Sequence, residues 1–449
     1  MTRIAVALVL ALAVAAAAGD SLVWNRQKSR VDADIDAWSL PRVLQVITTS
    51  TGWQVYVEPG TRHAVTAHFA DLPPAEAPRR LLGDLNFALL PQTDGSSKLF
   101  VYRHSVDAAT ELVRRSEERK SMPIENELVV ALKRGSIDAL AKKLGAEVVG
   151  RLDGVGAYRL RFKDAAAARK ARGAVEGEED VSTNEFNLTI APPAVLEPLA
   201  MSSPASFSLL PDMSPSADKV VVGLVDTAIQ SDPMFKDFLQ PTVSLAGDYT
   251  PPANQITHGT AMAETILDGI ARALQERGDG SGTVPVSILP VDVYGSAETT
   301  TTFDVARGMY EAMTQHANII NLSLGGDQPS PLLQQLVAMA TDRGVLVFAA
   351  AGNMPGTAPM YPAAYGPVIA VTAEDAQGNV APWANQGSFV DAIGPGMNVV
   401  HYADSAWLGT GTSFSTSWVS GWAAGAMTGA GQSPATIRDR TLMRWGMPR

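Results

Sequence analysis

The chain has no cysteine in 449 residues. That excludes disulfides, a thiolate nucleophile, cysteine-bound metal and lipidation on sulfur. Charge is sparse, at 18% of residues, and its balance is acidic, at −11. An acidic chain lacks the basic surface that attracts nucleic-acid phosphates, so no nucleic-acid partner is expected. Only six histidines are present. Long apolar runs are confined to one place. Arg3 is followed by an unbroken apolar stretch from Ile4 to Ala18, and the small residues Ala16 to Gly19 then precede Asp20. That layout predicts a secretory signal peptide over residues 1–19. It is shorter than the roughly 20 residues needed to span a bilayer. Export, to the periplasm or the medium, is the expectation. A large core allows an exported protein to do without disulfides.

What remains is an ordinary globular composition, with 46% apolar residues, and the length allows two to four domains at roughly 100–200 residues each. Residues 31–104 read as a small α+β domain. A short helical face (Val43, Leu44, Val46, Ile47) ends at Gly52, and Trp53–Val57 alternates as a strand. Val65 and Phe69 mark a second strand, Ala75–Leu82 a second helix and Leu99–Tyr102 a last strand. Residues 105–125 contain a charged stretch, Glu111 to Lys120, read as a solvated linker helix. Residues 126–190 give strand, helix, two strands and an Ala-rich helix: 127–132, 136–144 with Gly145 as cap, 148–149, 158–162 and 165–174. The segment 181–190 then forms a tail. Residues 191–218 are rich in Pro and Ser and read as a linker.

Residues 219–449 differ in kind. Apolar runs at 220–225, 286–291, 319–324, 345–350 and 368–371 alternate with helical segments at 259–276, 303–316 and 331–343. Strands that read as continuous apolar runs between helices predict an α/β domain with a parallel sheet covered on both faces. Sites in such folds lie at the carboxyl ends of the strands.

Three residues stand where chemistry is expected. Asp226 ends the run Val220–Val225, His258 opens an apolar helix, and Ser413 lies in the loop Gly409-Thr410-Gly411-Thr412-Ser413 as it enters another helix. Singly, each has a plain structural use: a turn cap, a helix-start histidine, an N-cap serine. Together they supply a carboxylate, an imidazole and a hydroxyl in the order Asp, His, Ser.

On these residues the chain resembles the subtilisin-like serine proteases (subtilases, peptidase family S8). The matching blocks are Val225-Asp226-Thr227, His258-Gly259-Thr260 and Gly411-Thr412-Ser413, with Asn318 to Gly326 and Ala349 to Asn353 as two further blocks. The resemblance implies a three-layer fold with a mostly parallel central sheet, preceded here by two small α+β domains. It implies a serine endopeptidase in which Ser413 is the nucleophile, His258 the base and Asp226 the group that orients the imidazole. It assigns Asn353 to the oxyanion hole, and Ser323, Leu324, Gly325, Ala350, Ala351 and Gly352 to substrate binding. The small residues of those walls suggest a roomy first specificity pocket for a large apolar side chain. The module at 126–190 resembles the family's propeptide, an intramolecular inhibitor. Residues 31–104 resemble the short N-terminal domain of secretins and outer-membrane receptors, which implies a cell-envelope partner. Protein or peptide substrates are expected. The family often holds structural calcium, but no Asp- or Asn-rich loop here matches such a site, and no metal or other cofactor is expected. Two departures stand out: Ala228 where the family usually has Gly, and Ser417 where it usually has Pro. They leave open a weak or inactive protease fold acting in binding or signalling at the envelope. An esterase using the same three residues is a third reading.

Overall fold

A computed structural model describes residues 21–447 apart from 26–29, 62, 92–96, 114–120, 192–195, 199–208, 215–218, 254, 280–281, 376, 382, 404 and 430–431. The expected signal peptide lies outside the described residues. The chain divides into two compact units, residues 1–117 and 118–449.

The first unit holds two sheets. Strands Ser21–Asn25, Arg30–Ser39 and Ala64–Leu72 form an antiparallel three-stranded sheet. Asn86–Pro91, Ser97–Tyr102, Gln54–Val57 and Glu111–Val113 form a four-stranded one. The expected helix runs Leu40–Thr51, with Pro41 in its first turn and Gly52 at φ 79 as its left-handed cap. The core joins Val31, Ile35, Leu44, Ile47, Val55, Leu81 and Val101. Two expectations need correction. The unit begins before Val31, because Leu22 and Trp24 belong to its core and Trp24 packs edge-on against Trp53 at 5.5 Å. The start of the charged linker is a strand and not a helix: Glu111–Val113 pairs antiparallel with Gln54–Val57, with Val113 opposite Val55. Ladder hydrogen bonds to a neighbouring strand outweigh local propensity there. The remainder of that stretch, 114–120, lies outside the described residues.

The second unit opens with strand Pro123–Leu132, so this module too begins earlier than expected. Its antiparallel sheet runs Val181–Ile190, Pro123–Leu132, Ala157–Arg161, Glu147–Leu152. Helix Ile137–Leu144 is capped by the Ser136 side chain and by Gly145 at φ 68, and helix Ala165–Val175 by Asp164. Alternation along the central strand sorts two faces. Leu128 and Val130 pack with Leu160, Ile137 and Ala168 under the module's own helices. Val129 and Ala131 pack with Phe303 and Met309 of the domain that follows.

That domain is built on seven parallel strands in the order Val243–Ser244, Val286–Asp292, Val220–Asp226, Ile319–Leu322, Leu346–Ala350, Ile369–Glu374, Ala392–Pro395. Every residue from 220 to 226 and from 286 to 292 is buried. One face carries helices His258–Arg277 and Thr412–Met427, the histidine and serine helices, with Pro434–Trp445 beyond. The other face carries Thr302–Thr314 and Pro331–Asp342. The result is three layers.

Candidate active site

The central strand ends in Asp226, which is fully buried. Its Oδ1 accepts from the Thr227 N–H at 2.7 Å, and its two oxygens lie 2.8 and 3.0 Å from His258 Nδ1. His258 is the first residue of its helix. Thr257 caps that helix and also donates through Oγ1 to the Ala228 carbonyl at 2.7 Å. The Gly259 N–H donates to Thr227 Oγ1 at 2.8 Å. A Cβ on Gly259 would stand 2.2 Å from the Thr227 carbonyl oxygen, so only glycine lets the histidine helix start this close to the carboxylate loop. Ala228 does not adopt a positive φ, so its methyl group introduces no backbone strain in place of the usual glycine.

Ser413 is buried in the first turn of the serine helix, preceded by Gly411. The neighbouring Phe414 ring lies edge-on to the His258 ring at 6.5 Å. The Ser413 hydroxyl donates to the Ser323 carbonyl at 3.1 Å, and His258 Nε2 has no hydrogen-bond partner. Ser413 and His258 thus lie on two helices packed against each other, with the Ser413 hydroxyl turned to the neighbouring strand end and not bonded to the imidazole. Bonds between catalytic groups commonly close only when substrate is bound.

Asn353 Oδ1 accepts from the Thr412 N–H at 2.7 Å and from Thr412 Oγ1 at 3.0 Å. Those donors fix the amide, so its NH2 group is aimed away from Thr412, and it is the group nearest to a Cβ built on Gly411. The expected walls are also present. Ser323, Leu324, Ala350 and Ala351 are buried, and Gly352 holds φ 104, a left-handed value suited to glycine. Gly326 exchanges two backbone bonds with Tyr361, at 2.9 and 2.8 Å. The Met360 side chain lies along Gly352, with Cγ 3.0 Å from where a Cβ would be.

Contacts from the upstream module to the catalytic domain were not apparent in the sequence. Glu185 Oε1 accepts from Ser330 Oγ and the Leu332 N–H, both at 3.0 Å, at the start of helix Pro331–Asp342. Asn187 Oδ1 accepts from Thr302 Oγ1 and the Phe303 N–H, both at 3.2 Å, at the start of helix Thr302–Thr314. Burial pushes the Glu185 carboxyl up to about 7 against the opposing effect of these donors, and its Oε2 has no partner. The strand VSTNEFNLTI is largely polar, so nothing in it singled out Glu185 and Asn187. At the end of that strand, Thr189 and Ile190 pair antiparallel with Thr301 and Thr300, and just past it the Tyr294 hydroxyl donates to the Ala191 carbonyl at 3.0 Å. Further on, Glu197 and Pro198 pair with Leu408 and Trp407, on the strand Ser405–Thr410 that leads into Ser413.

Comparison with known proteins gives two family matches: the Subtilase family over residues 217–444 and the Fervidolysin N-terminal prodomain over 110–187. Thermitase from Thermoactinomyces vulgaris is 37% identical over 222 residues, 48% of this chain and 77% of that protein. M-protease from Shouchella clausii is 32% identical over 259 residues, 55% of this chain and 66% of that one. Among solved structures, fervidolysin from Fervidobacterium pennivorans, described as a keratinolytic enzyme related to subtilisin, superposes with TM-score 0.54 at 20% identity. The overlap covers 73% of this chain and 57% of that one.

Proposed function

The chain belongs to the subtilase family of serine endopeptidases, with a propeptide-like module before the catalytic domain, and from that premise we propose an exported, self-inhibited endopeptidase acting through Asp226, His258 and Ser413. The observation that carries the reading is the buried Asp226–His258 pair at a strand's carboxyl end, beside a serine at a helix start. With substrate in place, the Ser413 hydroxyl turns to His258 Nε2, gives up its proton and attacks the scissile carbonyl. Asp226 holds Nδ1–H and so fixes the tautomer that presents Nε2 as base. The Asn353 NH2 group and the Ser413 N–H receive the oxyanion. His258 then protonates the leaving amine, and water resolves the acyl-enzyme by the same route. Substrate adds as a strand along Ser323-Leu324-Gly325.

Self-inhibition rests on the path of the chain. The module's last strand pairs with Thr300–Thr301 of the catalytic domain, and Glu197–Pro198 pairs with Trp407–Leu408 on the strand that leads into Ser413. Export rests on the N-terminal apolar run. No metal or cofactor enters the chemistry, and the first unit is assigned to a cell-envelope partner.

The turned-away Ser413 hydroxyl favours a second reading, a weak or inactive protease fold used in binding. Labelling with a fluorophosphonate, alongside cleavage of a casein substrate, decides between them. The processed protein is expected to label and cleave. Ser413→Ala is expected to do neither, with a loss on the order of 10⁶ in turnover. A processed wild-type protein that neither labels nor cleaves favours binding.

A further inference from the structure

One helical turn below the catalytic pair lies a second contact between the same two helices. His258 and Met262 are four residues apart on the histidine helix, and Ser413 and Ser417 are four apart on the serine helix. That spacing puts each pair on one helix face. The Ser417 hydroxyl lies 3.1 Å from Met262 Sδ and 3.2 Å from Ser323 Oγ. Ser417 and Met262 are both fully buried. In turn, Ser323 Oγ donates to the Ser413 carbonyl at 3.1 Å. The i to i−4 pattern of the helix gives that same carbonyl the Ser417 N–H. Behind them, fully buried Asn321 donates through Nδ2 to Ser323 Oγ at 3.0 Å and accepts from Ser420 Oγ at 3.0 Å. A chain of donors therefore runs Ser420, Asn321, Ser323, Ser413 carbonyl, with Ser417 wedged against its middle.

Farther along, the two helices touch backbone to backbone. A Cβ at Gly421 would stand 2.1 Å from the Ile266 carbonyl oxygen, and one at Gly269 would stand 2.2 Å from that of Trp418. Glycines set the helix separation at that end, and nothing there can adjust it at the catalytic end. Toward the catalytic end, the His258 and Phe414 rings meet edge-on, and one turn farther along Met262 meets Ser417. A proline at 417, usual in the family, would bring neither the N–H nor the hydroxyl. The family residue therefore does not explain what this chain does here.

We propose that Ser417 is a positioning residue. Its hydroxyl, held between Met262 and Ser323, sets the distance between the His258 imidazole and the Ser413 hydroxyl. The proposal rests on His258 and Ser413 being base and nucleophile. Removal of the wedge lets the first turn of the serine helix settle toward Met262, which alters proton transfer and leaves the substrate strand at 323–325 in place.

Two variants of the full chain test it, Ser417→Ala and the nearly volume-conserving Met262→Leu, together with their double variant. Peptide hydrolysis, fluorophosphonate labelling rate and thermal unfolding are followed in each. Ser417→Ala is expected to lower kcat by about ten- to a hundredfold with KM unchanged, the labelling rate falling in parallel. Met262→Leu is expected to lower kcat as well, and the double variant to lose no more than the worse single one, because both remove one contact. A Ser417→Ala enzyme within about twofold of wild type in kcat overturns the proposal, as do losses that add in the double variant. If Ser417→Ala does not fold, Met262→Leu decides alone by the same split between kcat and KM. If the wild-type chain neither labels nor cleaves, the protease reading falls. The positioning claim is then decided by the His258–Ser413 Cα distance in crystals of wild type and Ser417→Ala, where an unchanged distance overturns it.

Discussion

The seven-stranded sheet between residues 220 and 395 is covered on both faces by helices of its own domain, whereas the sheet between 123 and 190 has its own helices on one face only. Its other face, with Val129, Ala131 and Ala157, is closed by helices Thr302–Thr314 and Pro331–Asp342 of the catalytic domain. Small residues let them approach: a Cβ on Gly150 would stand 2.6 Å from the Phe303 ring, and one on Gly154 would overlap the Tyr310 hydroxyl. The smaller sheet borrows half of its core, and the larger one does not. A module of that kind is most stable while docked, since undocking returns the apolar face to water. The polar contacts follow the same division. In the larger domain, polar groups such as buried Asp226 and half-buried Asn353 lie at the candidate site. In the smaller, Glu185 and Asn187 serve the seam by capping the two borrowed helices.

The comparison can be broken most sharply at Phe303, which is fully buried where the two sheets share a core and lies under Arg159 at 5.5 Å. In a Ser413→Ala background, which keeps the chain intact, Phe303→Ala is expected to cost about 3–5 kcal/mol in denaturant unfolding. It is also expected to loosen the docked module, read as faster proteolytic nicking between residues 126 and 190. Equal nicking in both chains would mean that the small sheet does not depend on its borrowed face. A second test separates the two sheets by function. Asn353→Ala is expected to lower kcat about 10²–10³-fold, because its amide acts on the transition state, and to lower the unfolding midpoint only modestly, as two Thr412 donors lose their acceptor. A shifted midpoint with unchanged kcat would move Asn353 from the site to the scaffold.

The smallest effect is on pH. Docked, the Glu185 carboxyl is pushed up to about 7 by burial. Undocked, it titrates near the ordinary glutamate value of about 4.3. The docked state therefore favours the proton. Docking is strongest below the ordinary range, weakens by up to about tenfold per pH unit as pH rises, and changes no further above about 7. In the processed enzyme, inhibition by the retained module should ease between pH 5 and 7. Glu185→Gln, which cannot ionise, should hold inhibition level over that range. A wild-type profile as flat as that of the variant would remove Glu185 as the source.

Much of this was legible in the chain. Apolar runs of the right length, separated by amphipathic segments, read as a parallel sheet because strands covered on both faces tolerate no polar side. Ser136 and Gly145 bracketed a helix because capping is local. Asp226, His258 and Ser413 each stood at a strand end or a helix start. The edges were less legible. Glu111–Val113 read as charged linker because three residues carry no periodicity, and its ladder partners lie more than fifty residues away, at Val55 to Val57. Thr300–Thr301 closes the module's sheet on two residues that no pattern marks. Ser417, read only as a departure from the usual proline, proved to touch Met262 from a helix distant in sequence.

By itself the sequence determined the layers, the order of the chemical groups and the glycines that permit close approach, since each depends on neighbours a few residues apart or on side-chain type alone. Tertiary structure decided which faces meet: the seam at Phe303, the caps from Glu185 and Asn187, the Met360 side chain along Gly352 and the wedge at Ser417. Those contacts depend on the relative placement of whole helices and strands. Non-local packing fixes that placement, and no local pattern records it.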